Sequence, residues 1–166
     1  MIRIGVIGTG GMAGGHARTF QNMRGVKVTA CCDILEEKAG AFAEQHGIPA
    51  VYTDYKKMLR NEELDGITNV TTDAMHPPIS IAALKAGVHV LCEKPLAPTL
   101  AEGRRMAKAA KQSRRIHMVN FSKRNSAGLQ RAKRMIDQGK IGRVLHVDAN
   151  YFQGWLSGLK IAQLRK

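Results

Sequence analysis

Two places along the chain join residue types that could do chemistry together. The first is the turn Gly8-Thr9-Gly10-Gly11-Met12-Ala13, followed after a second apolar run by Asp33. Gly8 permits a sharp turn off a strand, Gly10 lets backbone approach a pyrophosphate, and Ala13 lets a helix lie close against a sheet. Phosphates would sit on the free N–H groups at the helix N-terminus, where the helix dipole favours negative charge. An acid at the tip of the second strand can accept from both hydroxyls of an adenosine ribose and would repel a 2′-phosphate. That chemistry is dinucleotide binding, with NAD favoured over NADP. Two other readings stay open: Gly-rich turns also serve flavin and S-adenosylmethionine sites, and Asp33 could simply cap the helix that begins near Leu35. The second place is Glu93-Lys94-Pro95. A strand-tip lysine could hydrogen-bond a substrate hydroxyl or carbonyl and stabilise the alkoxide-like oxygen that develops during hydride transfer. Glu93 could orient it, and Pro95 would hold the turn rigid. On composition alone, the same triplet reads as a surface lysine beside a turn proline.

Both places need a parallel sheet to bring them together, and the patterning supplies one. Short apolar runs at Ile4–Ile7, Val26–Cys32, Ala50–Tyr52, Gly66–Thr71, Val88–Cys92 and Ile116–Phe121 read as strands. Between them lie helical patterns: Ala17–Met23, Leu35–His46 with a stop at Gly47, a short helix capped by Thr53 or Asp54, and His76–Ala86 with a stop at Gly87. A further helix opens on a capping-box pair, Thr99 and Glu102. Alternation of strand and helix predicts a doubly wound α/β fold, whose ligands bind at the carboxyl edge. The fourth strand would deliver Thr71, Thr72 and Asp73 to the same edge as Gly8 and Asp33. Ser126–Gln138 then reads as a helix stopped by Gly139, and Val144–Phe152 alternates like a strand, which departs from the preceding rhythm.

At 166 residues the chain suits one domain with a full core, and 44% hydrophobic content with 17 Gly is ordinary for a soluble α/β protein. It carries no charged leader before a sustained apolar segment and no run of membrane-spanning length, so a cytoplasmic protein without membrane partners is expected. Cys31, Cys32 and Cys92 lack metal-ligand spacing and read as buried reduced thiols, with no metal site expected. The net charge of +13, from 26 Lys and Arg against 13 Asp and Glu, raises a nucleic-acid partner as a competing reading. The cations gather on the outer faces of two predicted helices, Arg104 to Arg115 and Arg131 to Arg134, without interleaved aromatic residues. Solvated faces are therefore favoured over nucleic-acid binding.

The stretch Thr71-Thr72-Asp73-Ala74-Met75-His76-Pro77-Pro78, continuing through Ala82-Ala83-Leu84-Lys85-Ala86-Gly87 to His89-Val90-Leu91-Cys92-Glu93-Lys94-Pro95, resembles the Gfo/Idh/MocA oxidoreductases. These are the relatives of glucose-fructose oxidoreductase and inositol dehydrogenase. The resemblance runs from Ile2 to about Trp155 and implies an NAD-dependent sugar or polyol dehydrogenase. By it, Gly8, Thr9, Gly10, Gly11, Met12 and Ala13 correspond to the pyrophosphate turn and Asp33 to the ribose acid. Thr71, Thr72 and His76 correspond to cofactor-lining positions, and Glu93 and Lys94 to the nicotinamide-side pair, with Lys94 the catalytic lysine. Asn120 corresponds to the following strand tip beside the cofactor, and Arg124, with Lys94, to the substrate side. A cis peptide between Lys94 and Pro95 is implied as well. Taken by itself, His76 could instead be a residue that packs at a helix start. The family's usual Pro-Asn is replaced here by Thr72-Asp73, which sets a negative charge where a neutral amide is common.

The organisation expected from this resemblance is a cofactor domain over residues 1–121, a connecting helix and first strand of a truncated second domain over 122–155, and an unrelated basic tail over 156–166. Such a chain would hold dinucleotide but lack the Asp and His partners of Lys94 and the wall of the substrate pocket, and so be inactive alone. Its single terminal strand, Val144–Phe152, would seek a partner and favour a homo-oligomer. The alternative from another class is a non-catalytic dinucleotide-binding or assembly protein.

Overall fold

A computed structural model describes residues 1–152 and Gly154. It divides into two compact units, Met1–Ser122 and Lys123–Lys166. In the first, six parallel strands form one sheet: β1 (Ile2–Ile7), β2 (Val26–Cys32), β3 (Ala50–Tyr52), β4 (Gly66–Asn69), β5 (His89–Cys92) and β6 (His117–Val119), in the order β3-β2-β1-β4-β5-β6. The chain therefore leaves β1 in one direction and returns to β4 in the other. The crevice beyond the carboxyl ends of β1 and β4 is the topological switch point where this class of sheet binds ligands.

Helices cover both faces. On one, α1 (Ala13–Gln21) and α2 (Glu36–His46) pack Ala13, Ala17, Phe42 and Ala43 onto Val6, Val28 and Cys31. On the other, α3 (Tyr55–Asn61), α4 (His76–Lys85) and α5 (Leu100–Ser113) bring Met58, Ile79, Ala83, Leu84 and Met106 onto Ile7, Ala30, Cys32, Ile67, Val90 and Cys92. Alanine at 13 and 17 brings α1 close to the sheet. Register slips between Ile4 and Gly5, so that Ile4 faces Val28 and Gly5 faces Ala30. The extra residue, Thr29, puts Ala30 and Cys32 on the face opposite Val28 and Cys31. The three cysteines are free and buried, and burial pushes the Cys31, Cys32 and Cys92 thiols up to about 11, about 12 and about 11. They are inert hydrophobes at neutral pH.

Helix ends follow local chemistry. Asp54 accepts from the Lys56 N–H at 2.8 Å, and Thr99 accepts from the Glu102 N–H at 3.3 Å while its hydroxyl donates to the Glu102 carboxylate at 2.8 Å. Gly47 closes α2 at φ +60°, where a side chain would be strained. Helix α1 begins at Ala13, four residues before the apolar pattern suggests, because the glycines that mask the periodicity still permit helical backbone. Strand β4 ends at Asn69 rather than Thr71, leaving Thr71 and Thr72 in the loop beyond it.

The second unit holds α6 (Ala127–Asp137), capped by Ser126, which accepts from the Leu129 N–H at 3.5 Å. Its Lys133 pairs with Asp137 one turn on, at 2.6 Å. The strand expected over Val144–Phe152 is not formed: these residues have no regular secondary structure. A strand requires a neighbour to receive its ladder, and no described residue pairs with this segment. The tail from Ser157 to Lys166 lies outside the described residues. Among the described residues no helix is long and apolar enough to cross a membrane, and no cluster of His, Cys, Asp and Glu could hold a metal ion.

Candidate functional site

The turn after β1 is held by backbone. Gly8 donates to the Cys32 carbonyl at 2.8 Å and adopts φ +87°. A Cβ on it would come within 2.8–2.9 Å of the Val70 carbonyl group and the Thr71 nitrogen. Only glycine fits, and its smallness serves the chain's own close approach as much as the turn. Gly10 and Gly11 differ: both are exposed, and a Cβ on either would meet no protein atom within 4 Å. The space in front of them is open. Met12 precedes α1 without a side-chain cap, and it is 61% exposed. No side chain caps the start of this nine-residue helix, where the Ala13 N–H donates to the Gly10 carbonyl at 3.0 Å and the Gly15 N–H to the Met12 carbonyl at 3.1 Å. An open glycine cradle at an uncapped helix N-terminus fits a pyrophosphate.

Asp33 reaches over this turn from the tip of β2. Its Oδ2 accepts from both the Thr9 N–H and the Thr9 hydroxyl at 2.9 Å, and its Oδ1 accepts from the Leu35 N–H at 3.1 Å. Partial burial alone would raise its carboxyl, but these three donors, with nearby Lys38, outweigh that and hold it below the usual carboxylate range. The residue that caps α2 is Leu35, not Asp33. Asp33 therefore steadies the approach to α2 and the glycine turn together, as a fixed anion with accepting capacity left on Oδ1. Exposed Ile34 and Leu35 adjoin it.

The tips of β4, β5 and β6 carry a second, buried polar cluster. His16, on the inward face of α1, sets Nδ1 against the Thr68 hydroxyl at 2.7 Å and Nε2 against Glu93 Oε1 at 2.9 Å. Asn120 donates to the same Glu93 oxygen at 2.6 Å, and the Lys94 N–H donates to Oε2 at 3.2 Å. His16 and Glu93 are each 7% exposed, and Thr68 is fully buried. Burial would raise the Glu93 carboxyl, but the Asn120 amide, the Lys94 N–H and His16 outweigh it and keep it low. Beside it, Asn69 donates to the His76 carbonyl and to Ser80 Oγ, both at 3.2 Å, and accepts from the Thr71 hydroxyl at 2.7 Å. The buried ring of His76 lies between two carbonyl oxygens, those of Pro95 at 2.7 Å from Nδ1 and Thr71 at 3.2 Å from Nε2. His76 thus joins the loops after β4 and β5. The Lys94–Pro95 peptide is cis, and the exposed Lys94 ammonium has no partner among the described residues.

The edge therefore gathers Gly8 to Ala13, Asp33, Thr71, Thr72, His76, Glu93, Lys94 and Asn120. Thr72 and Asp73 are exposed and open the 3-10 turn Asp73–Met75 before α4. Arg124 belongs to the second unit, where its carbonyl accepts from the Gln130 amide at 2.7 Å. The sequence motifs leave out His16, Thr68 and Asn69. A polar residue three positions after Ala13 and next to Ala17, on the stripe that must face the sheet, is the signal that would have found His16. A concavity of about 410 Å³ lined by Ile2, Leu64, Asp65, His89 and Arg115 lies at the opposite, amino edge and takes no part in this site.

Strand order, glycine turn and the acid at the β2 tip together define a dinucleotide-binding domain of the Rossmann class. Residues 2–121 match the family described as an oxidoreductase family with an NAD-binding Rossmann fold. The chain belongs to this family, the Gfo/Idh/MocA oxidoreductases. It is 32% identical over 154 residues to inositol 2-dehydrogenase of Salmonella paratyphi B, a match that takes in 91% of this chain and 46% of that protein. Among solved structures, myo-inositol 2-dehydrogenase from Lactobacillus plantarum superposes with a TM-score of 0.81 at 34% identity, over 86% of this chain and 43% of that one. The scyllo-inositol dehydrogenase of Lactobacillus casei, solved with NAD(H) and scyllo-inositol, gives 0.81 at 25% identity over 86% and 42%. The chain thus spans less than half the length of the relatives it matches.

Proposed function

We propose that the first unit binds NAD in preference to NADP and forms the cofactor half of a sugar or polyol dehydrogenase. The observation that carries this reading is the Asp33 carboxylate fixed over the Gly8–Ala13 turn by two hydrogen bonds from Thr9. An adenosine ribose would lie on Asp33, the pyrophosphate on Gly10, Gly11 and the start of α1, and the nicotinamide riboside across β4 and β5 toward Glu93, Lys94 and Asn120. The bound dinucleotide supplies hydride acceptance and return. Lys94 is suited to hold the substrate oxygen, since an unpartnered ammonium at the strand tip can stabilise charge developing there. Thr71 and His76 shape the loop that borders the ring.

Titration calorimetry with NAD and with NADP tests the assignment. Saturable NAD binding is expected, with NADP weaker by about tenfold or more because a fixed anion faces its 2′-phosphate. A folded sample that binds neither, or NADP the better, overturns it. Because Lys94 has no acid–base partner among the described residues, turnover of polyols by these 166 residues alone is proposed to be absent. This leaves a binding-only role as the second reading. Reduction of NAD in the presence of inositols or sugars would refute that part and leave the binding assignment standing.

A further inference from the structure

The buried cluster under the β5 tip has an electrostatic consequence that the cofactor assignment leaves unused. Glu93 Oε1 receives two donors, His16 Nε2 and Asn120 Nδ2, and Oε2 receives the Lys94 N–H. His16 is satisfied in full as a neutral ring: Nε2–H donates to Glu93, and the Thr68 hydroxyl donates to Nδ1 at 2.7 Å. Asn120 Nδ2, 3.4 Å from Nε2, is itself a donor and directs one of its two N–H groups to Glu93. No positive charge is needed inside the cluster, so the carboxylate keeps its full charge. The titratable groups facing or flanking it are His16 on α1 and, next to it in the chain, Cys92 at the end of β5 and Lys94.

We infer that His16 is a positioning residue for the nicotinamide end of the site, fixing the Glu93 carboxylate as a buried negative charge that favours the cationic, oxidised ring over the neutral, reduced one. The inference rests on the proposed NAD site, because the switch-point topology sends the nicotinamide toward β4 and β5. The two redox forms differ by one charge at the ring, so a fixed anion below it acts on one form and not the other. A histidine that merely filled the core would change affinity for both forms alike.

The test is to measure dissociation constants for NAD⁺ and NADH on the 166-residue chain and on the variants Glu93→Gln, His16→Leu and His16→Gln. Glu93→Gln is expected to weaken NAD⁺ about three- to tenfold more than NADH, and His16→Leu to move the ratio the same way by a smaller factor. His16→Gln, whose amide N–H can stand where Nε2–H does, is expected to restore most of the wild-type ratio. Equal losses for both forms, or an unchanged ratio in Glu93→Gln, overturn the inference. A wild-type chain that binds neither dinucleotide overturns the cofactor assignment instead. In that case, carboxyl NMR of the free protein still decides the role of His16. An upward move of the Glu93 midpoint in His16→Leu, reversed in His16→Gln, supports it, and an unmoved midpoint refutes it.

Discussion

The two ends of the ligand edge are built by opposite means. At the β2 tip one partly exposed carboxylate is held by donors from the turn it faces and from the start of α2, Thr9 and Leu35. At the tips of β4, β5 and β6 the anchoring groups are buried and drawn from across the unit: His16 meets Thr68 and Glu93 across 52 and 77 positions of chain. The first end can lose its acid and keep its fold. The second cannot lose a member without stranding the others in a place water does not reach. Recognition by an exposed clamp and recognition by a buried network therefore fail differently under mutation.

The largest difference should come from removing each acid. Glu93→Leu leaves His16 Nε2–H and the Asn120 amide without an acceptor, and should cost about 3 kcal/mol of stability by urea denaturation. Asp33→Ala should cost under about 1 kcal/mol in the same assay yet weaken NAD about tenfold or more by calorimetry. Equal stability losses would erase the contrast. A sharper version compares the two threonines. Thr68→Val keeps its shape but removes the hydroxyl that meets His16 Nδ1, for an expected loss of about 1–2 kcal/mol. Thr9→Val keeps its backbone N–H on Asp33 and should change stability by about 0.5 kcal/mol or less.

The glycines divide in the same way. Gly8→Ala places a methyl group against the Val70 carbonyl at positive φ, and thermal melting should fall by an amount equivalent to about 2–3 kcal/mol. At Gly10, where a methyl group meets no protein atom, alanine should leave melting nearly unchanged and weaken NAD.

The smallest effect is on pH. Asp33 and Glu93 are both held below the usual carboxylate range, so both stay ionised from neutrality down to about pH 5. The stability they contribute is present above the unfolded carboxylate value near 4 and is lost only as pH falls through their lower folded values. Their contribution and NAD affinity should therefore be flat between about pH 7 and 5, while overall stability falls there because burial holds the His117 ring below the usual imidazole value and the unfolded chain takes up that proton first. A midpoint in that interval for either would mean that burial, not hydrogen bonding, sets the Glu93 carboxyl.

This difference in construction also governs what the sequence discloses. The glycine turn and Asp33 are legible because each sits at the end of a recognisable apolar run and its bonding depends on the residues that follow it. Glu93 and Lys94 were legible through a contiguous motif. His16 was not, because its partners arrive from β4 and β5 and only the closed sheet brings them near. Thr71 was legible as a strand-tip residue, but its hydroxyl turns back to Asn69, a pairing set by where β4 stops. The segment Val144–Phe152 shows the reverse failure: alternation is a property of the sequence, whereas a strand is a property of a pair.

The slip in register at Thr29 has a practical outcome for following the protein as it opens. Strand alternation sends the adjacent cysteines to opposite layers, and the slip decides which goes where: Cys31 beneath α1 and α2 and Cys32 beneath the helices on the far side, where Cys92 also lies. All three are at most 3% exposed, so alkylating reagents reach them only through transient opening. A time course of iodoacetamide modification read by peptide mass spectrometry would resolve the two layers separately with the native thiols alone. Saturating NAD, which is assigned to the start of α1, should slow modification of Cys31 more than that of Cys92.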